Sequence, residues 1–190
     1  MRAAALLLLT LSACTDAQFG SEPDTRARDA AVYRAVLDSI SRTGGNQPIT
    51  QLVITDSTFT EDGELTELAK VPGVDSAIMS DFRKRNAEPH SLAYLSSAAF
   101  RIPLVLVGRD NLHSFLQNGP EAYWSEFHRR YPGSNGSIAL SSIGYSANSD
   151  LAVLLMDRGC GTLCGELSNV FVKRESAHWR VVLIQVKIMS

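Results

Sequence analysis

From Ser137 to the C-terminus the chain abandons helical spacing for short apolar, β-prone runs, and this change of period constrains the fold more than any other feature. The runs are Ser137–Tyr145, Leu151–Asp157, Leu167–Arg174 and Trp179–Ile188, separated by Ser146–Asp150, by a cysteine-bearing loop and by Glu175–His178. Sequential strands with short connections pair as neighbours, so the spacing predicts a four-stranded antiparallel meander.

The preceding residues read mainly as helices. Val32, Tyr33, Val36, Leu37 and Ile40 recur at helical spacing, with Gly44-Gly45 as the stop. Gln51–Thr55 is a short β-branched strand, followed by a polar loop from Asp56 to Gly63. Leu65 and Leu68 suggest a short helix broken at Pro72, and Asp75 caps another whose apolar face is Ile78, Met79 and Phe82 and whose solvated end is Arg83-Lys84-Arg85. Phe100–Val107 alternates as a strand, with Pro103 favouring a sheet edge. Gly119-Pro120-Glu121 opens a helix carrying Tyr123, Trp124, Phe127 and Tyr131, and Pro132-Gly133 ends it. Helices early and strands late imply an α+β domain, with the helices packed on one face of the C-terminal antiparallel sheet.

The first residues carry an address. MRAAALLLLTLSAC places one charge, Arg2, before an apolar stretch from Ala3 to Leu9 that is too short to span a bilayer, the layout of an export signal. Leu11-Ser12-Ala13-Cys14 resembles the lipobox of bacterial lipoproteins, in which a diacylglyceryl group is attached to the cysteine and the chain is cut just before it. The resemblance implies a signal peptide over residues 1–13, a lipidated Cys14 with a tether over 14–28, and a single α+β domain over 29–190. Thr15 after the cysteine implies the outer membrane, facing the periplasm, if the source is Gram-negative.

The whole chain has 18 Lys and Arg against 20 Asp and Glu, and no basic block of five or more, which argues against nucleic acid as a partner. With Cys14 lipidated, Cys160 and Cys164 remain as a pair in an oxidising compartment, and a disulfide is their natural assignment. The same spacing resembles the copper-binding C-x-x-x-C of Sco-type assembly proteins, whose soft sulfur ligands select copper; that likeness implies a thiol or copper protein instead.

Other motifs fail on context. His90, His113, His128 and His178 form no metal-ligand spacing, so no metal is expected. Gly144-Tyr-Ser146-Ala-Asn148 approaches a nucleophile elbow but leads into a strand, where an elbow must lead into a helix. Asp62-Gly63-Glu64 lacks the upstream carboxylates of a calcium loop. Without a glycine-rich phosphate loop or dinucleotide fingerprint, no cofactor is expected. Tyr123, Trp124, His128 and Tyr131 form a candidate binding surface, although Trp124, Phe127 and Tyr131 at this spacing read more readily as core, with Tyr123 as the exposed member.

Tyr131-Pro-Gly-Ser134, Leu140-Ser-Ser-Ile-Gly-Tyr145, Cys160–Gly165 and Trp179-Arg-Val-Val182 together resemble a group of poorly characterised exported bacterial proteins that brings no established activity. The closing hairpin, Val170–Val182, is also similar to the last hairpin of NTF2-like domains, which implies a curved sheet around a pocket and the alternative of a small-pocket enzyme. The reading that follows is a membrane-anchored, non-catalytic envelope module acting through protein or small-ligand contacts.

Overall fold

Among the described residues the apolar runs assemble into one mixed seven-stranded sheet in the order β2 (Leu104–Val107), β1 (Leu52–Thr55), β3 (Ser137–Leu140), β5 (Leu151–Gly161), β6 (Cys164–Glu175), β7 (His178–Met189), with β4 (Gly144–Tyr145) pairing β5 beside β3. A computed structural model describes residues 22–41, 48–60, 71, 73–113 and 119–189. Along the chain these form α1 (Glu22–Ile40), β1 (Leu52–Thr55), α2 (Ser76–Arg85), a 3-10 helix (Ala93–Ser97), β2 (Leu104–Val107), α3 (Arg109–His113) and α4 (Pro120–Arg130). Then come β3 (Ser137–Leu140), β4 (Gly144–Tyr145), β5 (Leu151–Gly161), β6 (Cys164–Glu175) and β7 (His178–Met189). The export signal, Cys14, the first part of the tether, the Asp62–Glu64 loop and the Leu65–Leu68 helix lie outside the described residues. Among the described residues no helix is long and apolar enough to cross a membrane.

The α+β class stands, and the finer arrangement needs correcting in three respects. The closing strands do run antiparallel from β3 and β4 through β5, β6 and β7, but the sheet continues past β3, where β1 pairs in parallel with both β3 and β2. The run Ser137–Tyr145 is split into β3 and β4, which pair different parts of β5. The helices occupy both faces of the sheet. Ala152, Leu154 and Met156 of β5 pack with Val32, Val36, Leu37 and Ile40 of α1, while Val153 and Leu155 meet Ile78, Met79 and Phe82 of α2. Buried on both sides, the first half of β5 has no polar face, and this accounts for its continuous run Leu-Ala-Val-Leu-Leu-Met.

Helix α1 begins at Glu22, so the end of the segment read as a tether, residues 22–28, already belongs to the first helix. Strand β2 covers only the end of the Phe100–Val107 run; it lies at the sheet edge, the position that Pro103, which sits just before the strand, favours. At the opposite edge, β7 exposes Val182, Leu183 and Val186, and two register shifts against β6 interrupt its ladder. Such bulges increase local twist and make an edge a poorer template for further strands.

The cysteines sit at a hairpin tip. Strands β5 and β6 stay paired as far as Gly161 and Cys164, with only Thr162-Leu163 between them, so no long connection needs ordering. Cys160 and Cys164 are joined by a disulfide, with Cα atoms 5.1 Å apart.

One close approach sets the geometry beside β4. A methyl group on Gly144 would lie 2.6 Å from Cβ and 2.8 Å from Cα of Phe82, so α2 is seated directly against this strand. Asp75 caps α2 by accepting from the Ile78 N–H at 2.9 Å, as its sequence position predicts. At the other end, Asn86 donates to the Phe82 and Ser142 carbonyls, at 2.8 and 3.1 Å, and accepts from the Ser142 N–H at 2.8 Å. This one side chain ties the end of α2 to the β3–β4 connection.

Candidate functional site

Because α2 is pinned to β4 while α1 crosses the sheet nearby, a cleft of about 890 Å³ remains between α1, α2, the segment leading into the 3-10 helix, and the turn after β4. Its floor is polar. Asp29 of α1 is 7% exposed. Its Oδ1 accepts from the Tyr145 hydroxyl at 2.8 Å, and its Oδ2 accepts from Nη2 of Arg85 at 2.5 Å. A carboxylate this buried persists only when both oxygens are satisfied, and here two elements distant in sequence satisfy them. Tyr145 is held in turn by its backbone N–H, which donates to Asp81 of α2 at 2.8 Å.

Two guanidinium groups border the Tyr145 ring, with the Arg28 carbon 4.0 Å and the Arg85 carbon 5.3 Å from its centroid. Nη1 of Arg28 donates to the Ser149 hydroxyl at 3.2 Å, while its buried Nε–H has no hydrogen-bond partner among the described residues. Deeper in, the Tyr33 hydroxyl donates to the Ser141 carbonyl at 2.8 Å. On the far wall, Thr58 accepts from the His90 N–H at 2.8 Å, and the His90 Nε2 lies 3.1 Å from the Arg85 carbonyl, to which its N–H form donates.

These contacts set the charge states. Burial raises the Tyr145 phenol far above its ordinary value, and the charge of Asp29 together with the hydrogen bond donated to it pushes the same way. Tyr94 and Tyr33 are raised too, first by burial and then by neighbouring groups that include Asp29. All three are neutral hydroxyls at physiological pH. For Arg85 burial opposes the charge, yet the attraction and hydrogen bond of Asp29 more than offset it, so the guanidinium is held more firmly charged than usual.

The expected site residues lie elsewhere. Cys14 is outside the described residues, and Cys160 and Cys164 occupy the hairpin tip. Tyr123, Trp124, His128 and Tyr131 of α4 and its C-cap do not line the cleft. Instead Tyr123 and Phe127 are buried against Val53, Val107 and Leu112, with Trp124 and Tyr131 packed around them. The expectation for Tyr123 is reversed, since it is 8% exposed and its ring lies edge-on to Trp124 at 4.8 Å. His128 is exposed beside Trp124, their rings 5.9 Å apart. The hydroxyl of Ser146, at the center of the elbow-like motif, is bonded to Asn148, Asp150 and Leu151 and shapes the β4–β5 turn. Among the described residues no three His, Cys, Asp or Glu side chains are grouped to hold a metal ion.

Sequence reading passed over Arg28, Asp29, Arg85, Tyr94 and Tyr145. One signal was present. Asp29 continues the buried stripe of α1 one turn before Tyr33, and an acidic residue in a core-facing position demands a buried partner. No family model, no curated protein and no solved structure matches this chain.

Proposed function

We propose that the chain is a membrane-anchored envelope lipoprotein whose domain binds a small polar ligand in the cleft between α1, α2 and β4 without transforming it. The observation that carries this reading is the cleft itself. Its volume lies in the range of small-molecule sites, roughly 300–1,000 Å³, and its walls are polar groups held in place by their neighbours. Binding fits better than catalysis because Asp29, the most deeply buried carboxylate there, is already engaged by Arg85 and Tyr145. The phenols that border it are held neutral and are poor bases. The anchor in this reading is Cys14, and the resemblance of Leu11–Cys14 to lipoprotein processing sites supports a position on the non-cytoplasmic side of the membrane.

The test is thermal unfolding of the mature protein in detergent against a library of polar metabolites. At least one compound raises the midpoint, and Ala77→Trp, which fills the cleft from the exposed side of α2, abolishes that rise. A library without effect, or a shift unchanged in the Trp variant, would defeat the proposal.

A further inference from the structure

We infer that the cleft takes a small anion bearing hydroxyl groups, a carboxylated or phosphorylated sugar or polyol, with its anionic group held at Arg28; this rests on the reading of the cleft as a ligand site. Charge is the first argument. The chain as a whole has a formal net charge of −2, yet among the described residues the cleft is lined by Arg26, Arg28, Lys84 and Arg85 and by the carboxylates Asp29 and Asp81. Those two carboxylates already serve the protein, Asp29 with Arg85 and Tyr145 and Asp81 with the Tyr145 backbone. A cleft with low-dielectric walls and an excess of one sign attracts ligands of the other.

Arg28 is the second argument. Its guanidinium is oriented by the Tyr145 ring below it and by Ser149 at one end, and such a fork matches two oxygens of a carboxylate or phosphate. Its Nε–H is buried without a partner among the described residues, a desolvated donor left unsatisfied until an acceptor arrives. An anionic oxygen beside Arg28 supplies that acceptor. Beyond it the lining is rich in hydroxyls, among them Thr25, Ser91, Tyr94 and Ser142, which suit a ligand with several hydroxyl groups.

Calorimetric titration of the mature protein in detergent with glucuronate, glucose 6-phosphate, glucose and inorganic phosphate tests this. One of the two anionic sugars binds at least tenfold more tightly than glucose, and which one it is distinguishes carboxylate from phosphate. Arg28→Gln weakens that binding at least tenfold, and Arg28→Lys falls between. Unfolding midpoints of both variants within a few degrees of the parent exclude a folding defect. Glucose binding as tightly as the anions, or Arg28→Gln without effect, overturns the anion assignment and leaves the cleft as a ligand site. Failure of all four probes overturns the assignment as well, and the library experiment then shows separately whether the cleft binds anything.

Discussion

The Tyr145 hydroxyl donates to Asp29 at 2.8 Å across 116 positions of sequence, joining the first helix to a two-residue strand and closing the floor of the cleft. Arg85 completes the arrangement from α2, so three elements meet on one carboxylate. Removing that carboxylate leaves Arg85 charged and partly buried with its main partner gone. Asp29→Ala is therefore expected to destabilise the domain by about 3–5 kcal/mol, as loss of one partner of a buried ion pair does. Replacing both residues, Asp29→Leu with Arg85→Met, is expected to cost less than the two single changes together. Urea unfolding of the parent, Asp29→Ala, Asp29→Leu, Arg85→Met and the double variant measures this, and an Asp29→Ala loss below about 1 kcal/mol would refute it.

The tyrosines set the alkaline limit of stability. A phenol raised in the folded state and ordinary in the unfolded state, near pH 10, makes no difference to stability below that value. Above it the unfolded chain loses the proton while the folded chain keeps it, so stability falls as pH rises. The slope is about 1.4 kcal/mol per pH unit for each fully buried phenol, and Tyr33 and Tyr145 are both buried. Stability should be level between pH 7 and 9 in this respect and fall steeply above about 10. Of the five tyrosines, Tyr33, Tyr94, Tyr123 and Tyr145 are raised, so most tyrosinate absorbance at 295 nm should appear only with unfolding. A smooth titration near pH 10 with the fold intact would contradict this.

The disulfide is expected to be a minor clip. Cys160 and Cys164 close a very small ring, for which the chain-entropy relation gives about 2 kcal/mol at most, and the strand pairing of β5 with β6 flanks it regardless. Cys160→Ser with Cys164→Ser should cost no more than this and leave the circular dichroism spectrum unchanged. Thiol titration of the purified protein should find both sulfurs oxidised. Two free thiols with stoichiometric copper binding would turn the site into a metal centre.

Gly144 is where α2 and β4 come closest. Gly144→Ala places a methyl group against the Phe82 backbone, which cannot give way as a side-chain tip can. The expected cost is about 1–3 kcal/mol from overpacking, with α2 displaced and ligand affinity lowered through Arg85 and Asp81. Gly161→Ala, 3.4 Å from Cys164 at the hairpin tip, serves as the contrast and should cost under about 1 kcal/mol. Equal effects at the two positions would show that the α2–β4 approach has no special role.

Lipidation at Cys14 is expected from the lipobox resemblance. Labelled fatty acid should enter the parent protein and be absent from Cys14→Ala. Intact mass of membrane-extracted protein showing an unmodified chain that begins elsewhere would rule it out.

What the sequence determined by itself was local. The spacing of Val32, Tyr33, Val36 and Leu37, the Asp75 cap, the Pro120 helix start and the β-prone closing runs all specify element type through contacts within a few residues. These readings match α1, α2, α4 and the strands β5 to β7. The continuous apolar run of β5 also carried a sign that both faces of the sheet would be covered, which the meander reading left unused. Only the tertiary structure decided that β1 joins β3 and β2 in parallel, because ladder hydrogen bonds come from backbone groups that nearly every residue shares and carry little sequence label. The hairpin tip escaped notice for a related reason, since Gly159, Gly161 and Gly165 read as a loop although their backbones pair as strand. The cleft belongs wholly to the tertiary level. Asp29, Arg85 and Tyr145 carry no mutual spacing, and each becomes part of a site only when α1, α2 and β4 bring buried polar groups to one point where each must satisfy the others.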